Sequence, residues 1–119
     1  DTASEVLRAA TSGHLVLSTI HANNITDAIN SVVKYASSTS MSEELAYDLF
    51  SRGMLGVLHQ TLNGVERKIP LVSYLFANPD STKGDQVRGI IKTGKLNLAT
   101  SIETQMTRMA RGKNIFPDL

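Results

Sequence analysis

Two histidines, His14 and His21, stand at the two ends of a short apolar segment in this sequence of 119 residues. Residues 14–20 are rich in leucine, valine and isoleucine, which predicts a buried strand. A polar loop follows the segment. In open α/β sheets, ligands bind just beyond the carboxyl ends of the strands. We therefore expect Thr19, His21 and Asn23 to be the groups nearest to a bound ligand.

Other kinds of chemistry are disfavoured by spacing and composition. An extended strand would hold His14 and His21 roughly 23 Å apart at ~3.3 Å per residue, too far to share one metal ion. The sequence contains neither a His-Glu-x-x-His zinc pattern nor a Gly-x-Ser-x-Gly nucleophile elbow. It also lacks cysteine, which excludes disulfides, thiol catalysis and cysteine-zinc sites. The alternative that both histidines only satisfy neighbouring backbone groups stays open.

One segment imitates a phosphate-binding loop. Residues 89–95 fit the pattern G-x-x-x-x-G-K, but Leu96 stands where a Ser or Thr hydroxyl would contact magnesium. Gly89 also lies within a helical pattern rather than after a buried strand. We therefore expect no phosphate-binding loop and no metal site in these residues.

Helices are predicted on both sides of the apolar segment. Thr2 and Glu5 have the spacing of a capping box, and Gly13 is suited to end the helix that follows. After Asn24, a second helix is predicted by apolar residues on one face, namely Ile25, Ala28, Ile29, Val32, Val33 and Ala36.

The rest of the chain is predicted as a helix, a hairpin and two terminal helices. Ser42 can cap the third helix, and the pair Asn63-Gly64 predicts a hairpin in which Pro70 marks an edge or a bulge. Gly94 would end a short fourth helix. Thr100 begins a second capping-box pattern, and the apolar face of the last helix is predicted as Ile102, Met106, Met109 and Ala110. The predicted fold class is α/β.

Composition indicates one domain or a piece of one, with 41% hydrophobic and 19% charged residues. No apolar run approaches the ~18 residues of a membrane span. The net charge of +1 conceals a basic region between Lys83 and Lys113. No aromatic residue lies within that region, so it has no platform for base stacking, and we expect no direct nucleic-acid binding. The first residue is Asp1 rather than Met, so we expect a fragment of a longer protein.

The stretch Gly13-His-Leu-Val-Leu-Ser-Thr-Ile-His-Ala-Asn23 resembles the His box of the secretion-superfamily ATPases, the PilT/GspE/DotB group, written roughly T-G-H-L-V-x-S-T-L-H-T-N. The pair Asp1-Thr2 resembles the end of that family's Walker B motif, which implies a start just after the catalytic glutamate. The hairpin predicted around Asn63-Gly64 resembles, more loosely, the hairpin that follows the His box in this family. Residues 86–93 resemble the A-I-R-N-L-I-R-E signature of PilT-type retraction motors, with Arg88 and Ile91 identical.

This resemblance implies the C-terminal portion of a RecA-like P-loop ATPase domain. Residues 1–80 would belong to the ATPase core, and residues 81–119 would form a C-terminal helical segment. It further implies a homo-hexamer that powers pilus assembly or retraction, or secretion, and that works in the cytoplasm on the platform of an inner-membrane machine. The intact protein would use ATP and magnesium. The phosphate-binding loop and the carboxylates that bind magnesium would precede this chain. The chain alone should therefore have no ATPase activity.

The resemblance also implies roles for individual residues. His21 would lie near the γ-phosphate, Thr19 would act as a sensor-like hydroxyl beside it, and His14 would have a supporting or inter-subunit position. Arg88 and Lys92 would contact a subunit or partner. The rival interpretation is a non-catalytic interaction module with a vestigial His box, which binds a partner through its basic face.

Overall fold

The computed structural model describes residues 2–38, 41–80 and 85–116. These residues form five helices and one antiparallel pair of strands, which agrees with the predicted α/β class in this broad sense. In chain order the elements are α1 (Thr2–Thr11), α2 (Ile25–Ser37), α3 (Glu43–Gly53), β1 (Gly56–Asn63), β2 (Ile69–Phe76), α4 (Gln86–Lys92) and α5 (Ala99–Ala110). The predicted division into residues 1–80 and 81–119 falls beside residues 81–84, outside the described ranges, and stays a prediction, as does any role of Asp1.

Local capping chemistry sets three boundaries of the first three helices as predicted, whereas the capping box predicted at Thr2 is not seen because Thr2 is itself the first residue of α1. Asn24 begins α2, and its side-chain oxygen accepts a hydrogen bond from the Asp27 N–H at 2.8 Å. Ser42 begins α3 in the same way. After α1, Gly13 has a φ of 91°, a conformation that favours glycine, and the His14 N–H donates back to the carbonyl of Ala9. These three helix boundaries are confirmed.

Helices α1, α2 and α3 pack against one another, and α4 packs on α3. Ile29 and Val33 of α2 lie at the centre of the core, fully buried. Each such side chain contributes about 1.5–3 kcal/mol on removal from water. Buried residues outside α2 also belong to the core: Leu7, Ala46, Tyr47, Leu49, Met54, Leu75, Val87, Ile91 and Leu98.

The predicted hairpin is confirmed, with a longer connection than a two-residue turn. Strands β1 and β2 pair antiparallel from Gly56↔Phe76 to Asn63↔Ile69, so residues 64–68 connect them. Gly64 has a φ of 117°, and a Cβ there would collide with the Arg67 carbonyl oxygen. Within the described chain both strands are edge strands, which explains why Pro70 is tolerated.

The buried strand predicted for residues 14–20 is wrong in this structure. The segment has no assigned strand, and Leu15 and Leu17 are 75% and 90% exposed. Strand formation requires a second strand that accepts and donates backbone hydrogen bonds. In the described residues, β1 and β2 pair with each other, and residues 15–21 have no backbone hydrogen bond.

The last helix differs from its prediction in two respects. It begins at Ala99 without a side-chain cap, so the capping box expected at Thr100 does not form. Its most buried residue is the polar Gln105 rather than the expected Met109, which is 49% exposed. The Gln105 amide accepts from the Phe76 N–H and donates to the Phe76 carbonyl, both at 2.8 Å. An edge strand leaves backbone groups without partners, and this amide satisfies two of them.

None of the helices in the described parts of the chain combines the length and apolar character needed to cross a membrane.

Candidate functional site

The loop that carries His21 forms one wall of an open depression of about 300 Å³. His21, Ala22 and Asn23 contribute this wall, and α2 forms the other. The α2 residues follow helical spacing, which places them on one face of the helix: Asp27, Asn30, Ser31 and Lys34. That face is opposite the buried stripe of α2, so the helix that supports the core also supports this depression.

Several polar groups of the depression can donate hydrogen bonds. The imidazole of His21, the ammonium of Lys34, the amide of Asn23 and the hydroxyl of Ser31 can all donate, whereas Asp27 contributes a carboxylate. Such donors suit an anionic group. The carboxylate of Asp27 would repel an anionic group that approached the N-terminal end of α2.

Tyr47 of α3 supports the α2 wall from behind. Its hydroxyl donates to the side-chain oxygen of Asn30 at 2.9 Å. Burial raises the pKa of the Tyr47 phenol above its ordinary value, and the nearby Glu43 carboxylate raises it further. The phenol is therefore protonated at neutral pH and keeps its donor role towards Asn30.

His59 of β1 supports the loop wall. Its Nε2 lies 2.9 Å from the carbonyl oxygen of Ala22, the residue after His21. The contact shows which structure it holds, namely the junction between the loop and the hairpin.

The structure separates the three residues expected to be catalytic. His21 lines the depression, whereas Thr19 and His14 do not. Both are exposed in the same extended segment. Their expected roles stay predictions.

Arg88, one of the two expected partner contacts, is largely engaged within the chain. Its guanidinium donates to the carbonyls of Ser51 and Arg52 at the end of α3 and to the carbonyl of Asn78. Its Nε lies 3.5 Å from a carboxylate oxygen of Asp85. Arg88 therefore ties α4 to the end of α3 and to the segment after β2.

Lys92, the other expected partner contact, is 69% exposed. Its ammonium lies 3.8 Å from a carboxylate oxygen of Asp48, in a second open depression that Glu44 also lines. No other described acidic residue lies within ion-pair distance of it. The structure leaves this ammonium accessible.

Neither the polar face of α2 nor the contact between His59 and Ala22 was anticipated from the sequence. The polar face Asp27, Asn30/Ser31 and Lys34 has a regular spacing, so a search for polar periodicity in α2 would have found it. The contact between His59 and Ala22 joins residues 37 positions apart, and no local pattern reveals it. In the described ranges, no three histidine, aspartate or glutamate side chains form a metal-binding cluster.

Comparison with protein families gives a match over the first part of the chain. A family model described as Type II/IV secretion system protein matches residues 1–71, more than half of the chain. The matched range covers α1, the loop with His21, α2, α3 and most of the hairpin. No curated protein matches the sequence.

Proposed function

Because the chain belongs to the type II/IV secretion system protein family, we propose that it is part of an ATPase motor that powers secretion or the assembly or retraction of a pilus. The observation that carries this proposal is the family match, whose range includes the whole stretch from Gly13 to Asn23. The proposed architecture is a portion of a RecA-like ATPase domain. The proposed working state is a homo-hexamer on the inner-membrane platform of such a machine.

In this proposal His21 donates a hydrogen bond to the γ-phosphate of ATP. Phosphoryl transfer depends mainly on positioning and on donors aimed at the charge that develops in the transition state. His21 lies in an open depression with other donors beside it, which suits this role. Thr19, two residues earlier, is the proposed sensor hydroxyl, and His14 has a supporting or inter-subunit role.

The rest of the ATP site would be contributed by residues outside this chain. The sequence has no complete phosphate-binding loop, because Leu96 replaces the required Ser or Thr. Among the residues that the structure describes, Asp27 is the one carboxylate that lines the depression, and magnesium at phosphates is held through carboxylates together with a loop hydroxyl. The described residues therefore fit contact with the outer phosphate and do not fit a complete magnesium site.

The test is turnover of the whole protein with His21 replaced by alanine. Loss of one preorganised donor lowers kcat by about 10²–10³-fold. The KM for ATP should change much less, because a donor that acts mainly in the transition state contributes little to ground-state binding. His14→Ala is the matched comparison, since it removes an imidazole from the same exposed segment but outside the depression, and its kcat should fall less.

Each variant is checked for hexamer formation before its turnover is measured. A kcat for His21→Ala equal to that of His14→Ala would contradict the catalytic role. If the whole protein has no ATPase activity, the proposal that it is a motor is contradicted.

The second candidate is a non-catalytic module that binds an acidic partner. The observation in its favour is a set of exposed cations in and after α4 and α5: Lys92, Lys95, Arg111 and Lys113. Such a module would bind its partner without nucleotide, and the binding would weaken as salt is raised. Full turnover in His21→Ala together with salt-sensitive binding would favour this candidate over the motor.

A further inference from the structure

His59 contacts the loop that carries His21, and the proposed catalytic mechanism assigns no role to this contact. Its side chain projects from β1 on the opposite side from Leu58 and Gln60, because successive residues of a strand point to opposite faces. Nε2 lies 2.9 Å from the Ala22 carbonyl oxygen. Since a carbonyl oxygen can only accept, Nε2 carries a proton and donates it.

This hydrogen bond is the tether of an otherwise unsupported segment. In the described chain, residues 15–21 have no backbone hydrogen bond, and most of their side chains are exposed. Fixing such a segment in one conformation opposes its conformational entropy. The bond to Ala22 fixes the peptide that directly follows His21. On the other side, Asn24 is held by its capping contact with α2.

From this geometry we infer that His59 is a positioning residue for His21. It acts through the peptide carbonyl of Ala22 and keeps the imidazole of His21 at the edge of the depression. The consequence for turnover rests on the proposed ATPase function, whereas the ordering of the loop does not. A donor displaced by about 1 Å from its productive position loses much of its effect, so the loop requires such a support.

The decisive variants are His59→Gln and His59→Asn in the whole protein. The amide nitrogen of glutamine reaches about as far from the backbone as Nε2 and can donate to the carbonyl. Asparagine has the same amide one methylene shorter and cannot reach it. Gln60→Asn is the matched control, because it makes the same shortening at the next, exposed position of β1.

The kinetic readout separates kcat from KM. His59→Asn should lower kcat about fivefold, the equivalent of one hydrogen bond of about 1 kcal/mol. The KM for ATP should stay unchanged, because the nucleotide is held mainly elsewhere. His59→Gln should remain within about twofold of the parent protein because its amide restores the donor to the Ala22 carbonyl. Gln60→Asn should do the same because exposed substitutions usually have small effects.

A second readout needs no nucleotide. The 119 residues contain no cysteine, so a spin label on Ile20→Cys reports the mobility of the loop without interference from this chain. Ile20 is 41% exposed and two residues from Ala22. The electron paramagnetic resonance spectrum should sharpen in His59→Asn and stay broad in His59→Gln and Gln60→Asn.

The outcomes distinguish this inference from the proposed function. A label spectrum that is the same in His59→Asn and His59→Gln overturns the tether, whatever the turnover. A sharpened spectrum with unchanged kcat in an active protein overturns the positioning role. If the parent protein has no ATPase activity, the motor proposal fails, and the label alone decides whether His59 orders the loop.

Discussion

Replacing Arg88 with alanine should lower the free energy of unfolding by about 3–5 kcal/mol, the cost of breaking a buried ion pair from one side. The guanidinium donates at 2.8–3.0 Å to the carbonyls of Ser51, Arg52 and Asn78, and its side chain is only 12% exposed. The Asp85 carboxylate beside it is 5% exposed. Truncation therefore leaves a buried charge and three carbonyls without their donor.

Asp85 makes the loss larger than the hydrogen bonds of Arg88 alone would suggest. Its carboxylate accepts from the N–H groups of Asn78 and Val87, so it holds both the start of α4 and the segment after β2. Without Arg88, the negative charge of Asp85 remains buried and is compensated only by neutral donors. Arg88→Lys keeps the charge but has no planar fork to span the carbonyls, so we expect a loss of about 1–3 kcal/mol.

The assay is urea unfolding followed by far-ultraviolet circular dichroism, since the chain has no tryptophan. Arg52→Ala is the control. It also removes an arginine, but one that is 60% exposed and paired with Asp48 on the surface, where a pair contributes at most about 1 kcal/mol. If Arg88→Ala and Arg52→Ala lowered the free energy of unfolding equally, the role of Arg88 in tying α4 to the end of α3 and to the segment after β2 would be refuted. Weaker partner binding in Arg88→Lys with undiminished stability would favour the partner contact expected from the sequence.

Two further stability measurements test other contacts. Gln105→Leu should lower the free energy of unfolding by about 2–3 kcal/mol, because both backbone groups of Phe76 lose their partner; an equal loss in the exposed Gln60→Leu would contradict this. Burial, and secondarily Glu43, raises the pKa of Tyr47 above 10.0, so the stability linked to this phenol is fully present below pH 10.0 and is lost as pH rises through the folded-state pKa. Tyr47→Phe should therefore show a smaller fall in Tm than the parent protein between about pH 9 and pH 11, and identical falls would count against the burial argument.

Helix boundaries were predictable because each depends on atoms a few residues apart. The side chains of Asn24 and Ser42 accept from the backbone three residues later, and Gly13 adopts its positive φ next to the helix that it ends. The hairpin was predictable for the same reason, since its turn pair lies between the two strands. The capping box predicted at Thr100 does not form, because the helix already begins after Leu98, two residues earlier.

The segment 14–20 was not predictable from its own residues. Its short run of apolar and partly β-branched side chains is typical of a buried strand, yet a strand exists only if another strand is adjacent to it. The burial of Gln105 and Arg88 could not be predicted from the sequence either, because their partners Phe76, Ser51 and Asn78 lie between 10 and 37 positions away. Spacing rules describe neighbours in sequence, and these contacts are between neighbours in space.

The two walls of the depression therefore differ in what determines them. The α2 wall follows from helical spacing from Asp27 to Lys34, so these residues share one face wherever this helix forms. The wall with His21 has no regular structure of its own and depends on the hairpin through the bond from His59 to Ala22. A change that shifts β1 relative to α2 would move His21 and leave Lys34 in place.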